Sequence, residues 1–133
     1  MLTINSCKKE KISEPDSNNS HNMGQNCMNC HKSGGEGEGI FIVAGTVYNE
    51  PKTNTIENPQ VYLFTQPNGG GDLVVTIKGD YNGNFYTTKS IDFSAGLYPA
   101  VTRTGIIKYM QTPVSIGACN SCHGITTDKL WTN

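Results

Sequence analysis

One five-residue pattern occurs twice in this chain of 133 residues. Residues 27–31 read C-M-N-C-H, and residues 119–123, which begin 92 positions later, read C-N-S-C-H. The two copies use four of the five cysteines and two of the three histidines. Each histidine directly follows a cysteine pair, so neither copy is incomplete. The chemistry of these residue types therefore constrains the chain more than any other feature of the sequence.

The pattern C-x-x-C-H is the attachment site of c-type haem. Two thiols three positions apart can form thioethers to the two vinyl groups of one porphyrin, and the next histidine then lies under the iron as its proximal ligand. On this pattern the chain resembles dihaem c-type cytochromes, which predicts two covalently attached haem c groups. The predicted cofactor-binding residues are Cys27, Cys30, His31, Cys119, Cys122 and His123.

A four-cysteine zinc site is the main alternative for two C-x-x-C pairs. It leaves His31 and His123 unexplained, and its loop of 88 residues between the pairs is far longer than the loop of a zinc ribbon. Redox-active dithiols of the thioredoxin type need a βαβ context, whereas the flanks of both pairs here are rich in glycine.

Composition and charge indicate an exported β protein with a modest core. The net charge of −1 and a pI of about 6.3 favour neither nucleic acid nor an anionic membrane surface as a partner. Hydrophobic residues make up only 35% of the chain, charged residues 16%, and 15 residues are glycine, as in loop-rich proteins. Two haems would add large apolar bodies that so short a chain otherwise lacks.

Local patterning divides the chain into four segments. Residues 1–20 are charged and then rich in serine and asparagine, as in a tether. Residues 21–39 and 105–133 carry the two motifs in irregular chain, and the first motif is predicted to form a turn or one short helical turn. Residues 40–104 alternate with period two. Strands are predicted over 40–48, 60–66, 73–78, 85–88 and 97–104. Together these patterns predict a mainly β fold, an antiparallel β-sandwich flanked by irregular haem-binding segments.

Three short pieces of the predicted sandwich resemble a carboxypeptidase regulatory-like domain. They are residues 45–48 (G-T-V-Y), 58–63 (N-P-Q-V-Y-L) and 80–85 (D-Y-N-G-N-F). The match covers roughly residues 40–104, with Gln60 in place of the usual alanine. The resemblance implies a transthyretin-like β-sandwich, common in exported bacterial proteins, that acts as a scaffold or adhesion module without catalytic residues.

The fifth cysteine, Cys7, has the context of an acylated cysteine in a bacterial lipoprotein. Ser6 precedes it, and residues 8–11 (K-K-E-K) follow it. Attachment of c-type haem outside the cytoplasm implies export to the periplasm, the cell surface or the extracellular space. Residues 1–6 are nevertheless shorter than the apolar part of a signal peptide, about 7–15 residues. Lipidation of Cys7 after a cleavage site would resolve this conflict and would make a lipid anchor the only membrane contact. An ordinary unpaired thiol is the alternative.

The sixth ligand of each iron is open. His21 is the only histidine outside the motifs, so one chain cannot complete two bis-histidine haems. His21 is the candidate distal ligand of one haem, and Met110 and Met23 are weaker candidates, since methionine more often has a packing role. Methionine raises the haem potential relative to histidine, so a mixed pair would give one high-potential and one low-potential site. A neighbouring chain could also donate the missing ligand.

We therefore predict an exported electron carrier rather than an enzyme, with redox proteins or extracellular electron acceptors as partners. Because one chain lacks distal histidines for both haems, a further prediction is a homopolymer with stacked haems, similar to known cytochrome filaments. Two other classes of function stay open. A dihaem peroxidase-like enzyme would need an open iron and an acid–base group, and a haem-bearing adhesion module would need exposed aromatic patches.

Overall fold

Two β-sheets with one shared core form the fold, and the computed structural model describes residues 11–21, 23–29, 31, 40–121, 123, 125 and 129–132. The strands are β1 (Val43–Thr46), β2 (Gln60–Phe64), β3 (Leu73–Lys78), β4 (Asn84–Thr87), β5 (Tyr98–Thr102), β6 (Lys108–Tyr109) and β7 (Gly117–Ala118). One sheet has the order β4-β1-β7 and the other β3-β2-β5-β6. All strand neighbours are antiparallel except β1 and β7, which are parallel. The predicted mainly β fold is confirmed.

Alternating side chains explain why the sheets face each other. In β2, Val61 and Leu63 are each 3% exposed, whereas the three residues between and beside them are only half-buried. The apolar cluster takes side chains from both sheets: Val43, Val47, Val61, Leu63, Ile77, Phe85, Leu97 and Val101. Burying each of these side chains stabilises the fold by about 1.5–3 kcal/mol.

Residues 105–133 differ from the irregular chain that the sequence predicts there. They contain β6, which extends the second sheet beside β5, and β7, which pairs with β1. Each of these strands has only two residues, too few for a period-two pattern to show. The pairing of β7 is important for the site because the second motif begins at the next residue.

The described part of the predicted tether lies along β4. Ser13 is 2% exposed, its backbone N–H donates to the carbonyl oxygen of Tyr86 at 2.9 Å, and its hydroxyl donates to the carbonyl oxygen of Lys78 at 2.6 Å. Further along, the hydroxyl of Ser20 donates to the buried carboxylate of Asp80. Residues 11–20 therefore pack against the sandwich, and Cys7 with the rest of 1–10 lies outside the described residues.

Candidate haem sites

The first three residues of each C-x-x-C-H motif form a 3₁₀ turn. The turns span Cys27–Asn29 and Cys119–Ser121 and are named here the first and second motif turns. In both, the backbone N–H of the histidine donates to the carbonyl oxygen of the first cysteine at 3.0 Å. The short helical turn predicted for the first motif is confirmed, and the second motif repeats it. Cys30 and Cys122 lie outside the described residues.

Strand β1 carries both motif turns. The second motif turn directly follows β7 in the chain, and β7 pairs with Val43 and Ala44 of β1. A side chain at Gly45 would bring its Cβ to 2.5 Å from the ring of Phe85 and 2.9 Å from Cβ of Cys119. Such separations are too short for carbon atoms, so glycine at this position allows the second motif turn to pack directly on the strand.

A buried asparagine inside the second motif joins it to the first. The side chain of Asn120 is 3% exposed. Its Nδ2 donates to the carbonyl oxygen of Gln25, two residues before Cys27, at 2.7 Å, and to Oγ1 of Thr46 at 3.0 Å. Its Oδ1 accepts from the backbone N–H of Thr46 at 3.1 Å.

Thr46 of β1 extends the same network toward the first motif. Its hydroxyl accepts from the backbone N–H of Gly24 at 2.9 Å and donates to Oδ1 of Asn84 at 2.7 Å. Thr46 is fully buried, so its own hydrogen-bonding groups are shielded from water. The hydrogen bond from Asn120 to Gln25 thus connects the second motif to the residues just before the first motif.

An aromatic stack orients the histidine of the first motif. The rings of His31 and Phe41 lie 3.9 Å apart at 8°, and Phe41 stacks in turn on Tyr86 at 4.9 Å and 18°. The backbone N–H of Phe41 also donates to the carbonyl oxygen of His31 at 2.9 Å. The imidazole plane is thereby fixed relative to β4, which carries Tyr86. Phe41 itself is 8% exposed, so this stack forms one edge of the core.

The thiols of the two described cysteines have similar surroundings. Sγ of Cys27 lies 3.7 Å from the carbonyl oxygen of Gln25, and Sγ of Cys119 lies 3.5 Å from that of Gly117. Burial raises the pKa of the Cys27 thiol, and a backbone hydrogen bond at Cys27 acts in the opposite direction. The uncharged thiol therefore dominates at neutral pH, which lowers its general reactivity toward oxidants and disulfides.

An apolar cavity of about 430 Å³ opens beside the second motif turn. Cys119 and His123 line it together with Met110, Val114, Leu130 and Trp131. Cofactor pockets usually measure about 300–1,000 Å³ and are mostly apolar with a few polar groups. This donor set, with a thiol, an imidazole and a thioether around an apolar space, fits a haem attached at Cys119.

The three candidates for distal ligand lie in different surroundings. Met110 lines the same cavity as His123. Met23 is 43% exposed, and His21 is exposed, with its carbonyl oxygen 3.5 Å from Nδ2 of Asn84. The structure thus brings Met110 together with the second motif and places neither His21 nor Met23 in the cavity.

The described residues contain no group of three or more histidine, cysteine, aspartate or glutamate side chains arranged to hold a metal ion. Within the same part of the chain, no helix has the length and apolar character needed to cross a bilayer.

Sequence reasoning missed several of the residues that build the sites. Asn120 occupies a variable position of its motif, where no residue type is expected, and Phe41 reads as an ordinary strand residue. Trp131, nine residues after Cys122, is the single tryptophan of the chain and belongs to neither motif. A sequence signal for its role was its place soon after the second motif, among the few apolar residues of an otherwise polar segment.

Comparisons with known proteins add no relative to this description. No family model, curated protein or solved structure matches the chain. The resemblances to dihaem cytochromes and to carboxypeptidase regulatory-like domains therefore stay predictions that depend on the residues quoted for them.

Proposed function

We propose that the protein is an exported dihaem c-type cytochrome that carries electrons and catalyses no reaction of its own. The observation that supports the proposal is the cavity beside Cys119 and His123, whose volume lies in the usual range for cofactor pockets and whose mostly apolar lining includes a thiol, an imidazole and a thioether. Haem supplies a reversible one-electron change at its iron. The proposal assigns to the chain the tasks of holding, orienting and shielding two such groups.

Each of these tasks has its own residues. The four motif cysteines hold the haems covalently, and His31 and His123 serve as proximal ligands. Phe41 fixes the plane of the His31 imidazole by stacking on it at 3.9 Å. Met110 is the distal ligand best placed for the second haem because it lines the same cavity as His123.

The link between the motifs supports electron exchange between the two haems. Asn120 of the second motif donates to the carbonyl oxygen of Gln25 beside the first motif at 2.7 Å. Because Asn120 and Thr46 are buried and hydrogen-bonded to each other, we expect the two attachment points to keep one separation rather than to lie on independent loops. A pair of haems on this scaffold would exchange electrons within one chain before passing them to a redox protein or an extracellular acceptor.

Haem stoichiometry is the direct test. The full chain is produced for export in a bacterium with the cytochrome c maturation system, and haem c per chain is measured by the pyridine haemochrome method. We expect two haems in the natural chain and one in each double variant, Cys27→Ala with Cys30→Ala or Cys119→Ala with Cys122→Ala. Cys7→Ser is the matched control and retains both haems. A fully exported chain without covalent haem would contradict the proposal.

A structural zinc site is the second candidate, and one observation favours it. Since the bond from Asn120 to Gln25 brings the two C-x-x-C turns together, the loop of 88 residues no longer argues against a shared four-cysteine site. Elemental analysis of the same preparation separates the two candidates. One zinc ion and no haem per chain would favour this site, whereas two iron ions as haem and no zinc would exclude it.

Further measurements separate a carrier from the other functional classes. A carrier with both irons six-coordinate binds no carbon monoxide when reduced and does not turn over peroxide, whereas a peroxidase does both. A haem-bearing adhesion module would show no rapid electron exchange with redox proteins. Electron microscopy of the extracellular and membrane fractions tests the polymer, because ordered filaments with stacked porphyrins would show which group fills each sixth position.

A further inference from the structure

Two lysines line the otherwise apolar cavity at the second motif. Lys108 of β6 and Lys129 are both part of its wall, and among the described residues the lining contains no aspartate or glutamate. Lys108 is half-buried and Lys129 is exposed, so one ammonium group lies further inside than the other. The cavity therefore combines an apolar interior with a positively charged side.

Aromatic rings hold both ammonium groups in place. Nζ of Lys108 lies 3.0 Å from the ring centre of Trp131, and Nζ of Lys129 lies 4.6 Å from the ring centre of Tyr48. Lys52 approaches Trp131 as well, with its Nζ 5.5 Å from the ring centre. Such contacts position a cation at an aromatic face but do not neutralise it.

Neither Lys108 nor Lys129 has a carboxylate within ion-pairing distance in the described part of the chain. A positive charge beside an apolar cavity is poorly solvated on that side, so an anionic group of a ligand would improve its environment. The ligand that matches this wall has an apolar body and carboxylates at one edge. A porphyrin with two propionate groups has this chemistry.

We propose that Lys108 and Lys129 bind the propionate carboxylates of the haem attached at the second motif, with Trp131 and Tyr48 positioning the two ammonium groups. This inference depends on the proposed function, since it names the residues that orient the cofactor of the same site. It also assigns them an electrostatic role. Positive charge near the iron disfavours the ferric state, so the two lysines raise the reduction potential of the second haem.

The test measures midpoint potentials by spectroelectrochemistry in Lys108→Gln and Lys129→Gln. The background is the Cys27→Ala, Cys30→Ala protein, which retains only the second haem. We expect each substitution to shift the potential downward, and Lys→Arg at the same position to restore it. The shift should persist at about 1 M salt, where the screening length is only about 3 Å, because paired and partly buried charges are screened weakly.

Two controls define the site. The same substitutions in the Cys119→Ala, Cys122→Ala protein, which retains only the first haem, should leave its potential unchanged. Lys78→Gln on β3, at the far edge of the sheet from β6, should be silent in both backgrounds. If the single-haem proteins fail to fold, the titration is made on the two-haem chain, where one of the two reduction waves should move.

The outcomes distinguish this inference from the proposed function. Potentials that stay unchanged in a chain carrying both haems would overturn the role of the lysines and leave the cytochrome intact. A shift that disappears at high salt would do the same, because it would show only a distant screened field. Absence of covalent haem in the natural chain would overturn both.

Discussion

Replacing Asn120 with alanine should separate the two motifs and destabilise the fold. The backbone N–H of Thr46 loses its acceptor, Oδ1 of Asn120 at 3.1 Å, in a residue that is 0% exposed. A buried donor left without a partner costs about 1–3 kcal/mol. Gln25 is exposed, so water can replace Asn120 at its carbonyl oxygen, and the loss there is the smaller net value of about 0.5–1.5 kcal/mol. We expect a total of about 2–4 kcal/mol.

The assay is equilibrium unfolding by denaturant, followed by circular dichroism, on the haem-loaded protein. For a chain of this size, a loss of this magnitude would lower the melting temperature by roughly 10 °C. Asn54→Ala is the matched control, because Asn54 is exposed and should change the free energy of unfolding by less than about 0.5 kcal/mol. Asn120→Ala should also weaken the electronic coupling between the haems, measured as the splitting of the Soret circular dichroism band.

An Asn120→Ala protein with the stability of Asn54→Ala would refute this reasoning. It would mean that the network around Thr46 does not hold the motifs in solution. Loss of stability without any change in haem coupling would be more specific. It would leave Asn120 as a structural residue and remove its proposed part in setting the separation of the haems.

Three further predictions concern single positions. Met110→Leu should lower the potential of the second haem, because the thioether favours the ferrous state, whereas Met23→Leu should not; equal potentials in a redox titration would exclude Met110 as a ligand. Burial, with smaller effects of the charges of Asp80 and Glu14, raises the pKa of Tyr86, so its contribution to stability is present below about pH 10 and is lost as pH rises through the raised pKa. The free energy of unfolding of Tyr86→Phe should therefore decline less with rising pH in that range than that of the natural protein. Equal declines in the two proteins would contradict this. Gly45→Ala should cost about 1–3 kcal/mol by overpacking against Phe85, and an unchanged denaturation midpoint would show that the strand can move away.

The sandwich could be predicted from the sequence because its strands show period-two patterns and are separated by residues typical of turns. Predicted strands over 60–66 and 73–78 coincide with β2 and β3 to within two residues. Strands β6 and β7 could not be predicted from the sequence, since a strand of two residues shows no period-two pattern. Pairing of β7 with β1 also depends on contacts across most of the chain, which local pattern cannot report.

For the candidate sites, the sequence predicts a chemistry, which stays a prediction, but not the surroundings. The C-x-x-C-H pattern proposes six residues by type and spacing alone. The cavity is different, because its wall comes from β2, β4, β5, β6 and the segments around both ends of β7. Residues so far apart in the sequence come together only through the sheet topology. The contact between the Lys108 ammonium group and the Trp131 ring therefore cannot be predicted from the neighbouring sequence.

The parallel pairing of β7 with β1 also has a consequence for the order of folding. The hydrogen bond that joins the motifs spans 95 residues, so it belongs to the contacts of high sequence separation that form late and slow a fold. As the chain is made from its N-terminus, the first motif emerges long before Asn120 can reach it. A haem attached early at Cys27 and Cys30 would therefore stay without its structural support until β7 closes the sheet. Under the proposed function, β7, the last strand in chain order, would complete the surroundings of the first haem only after that haem is attached.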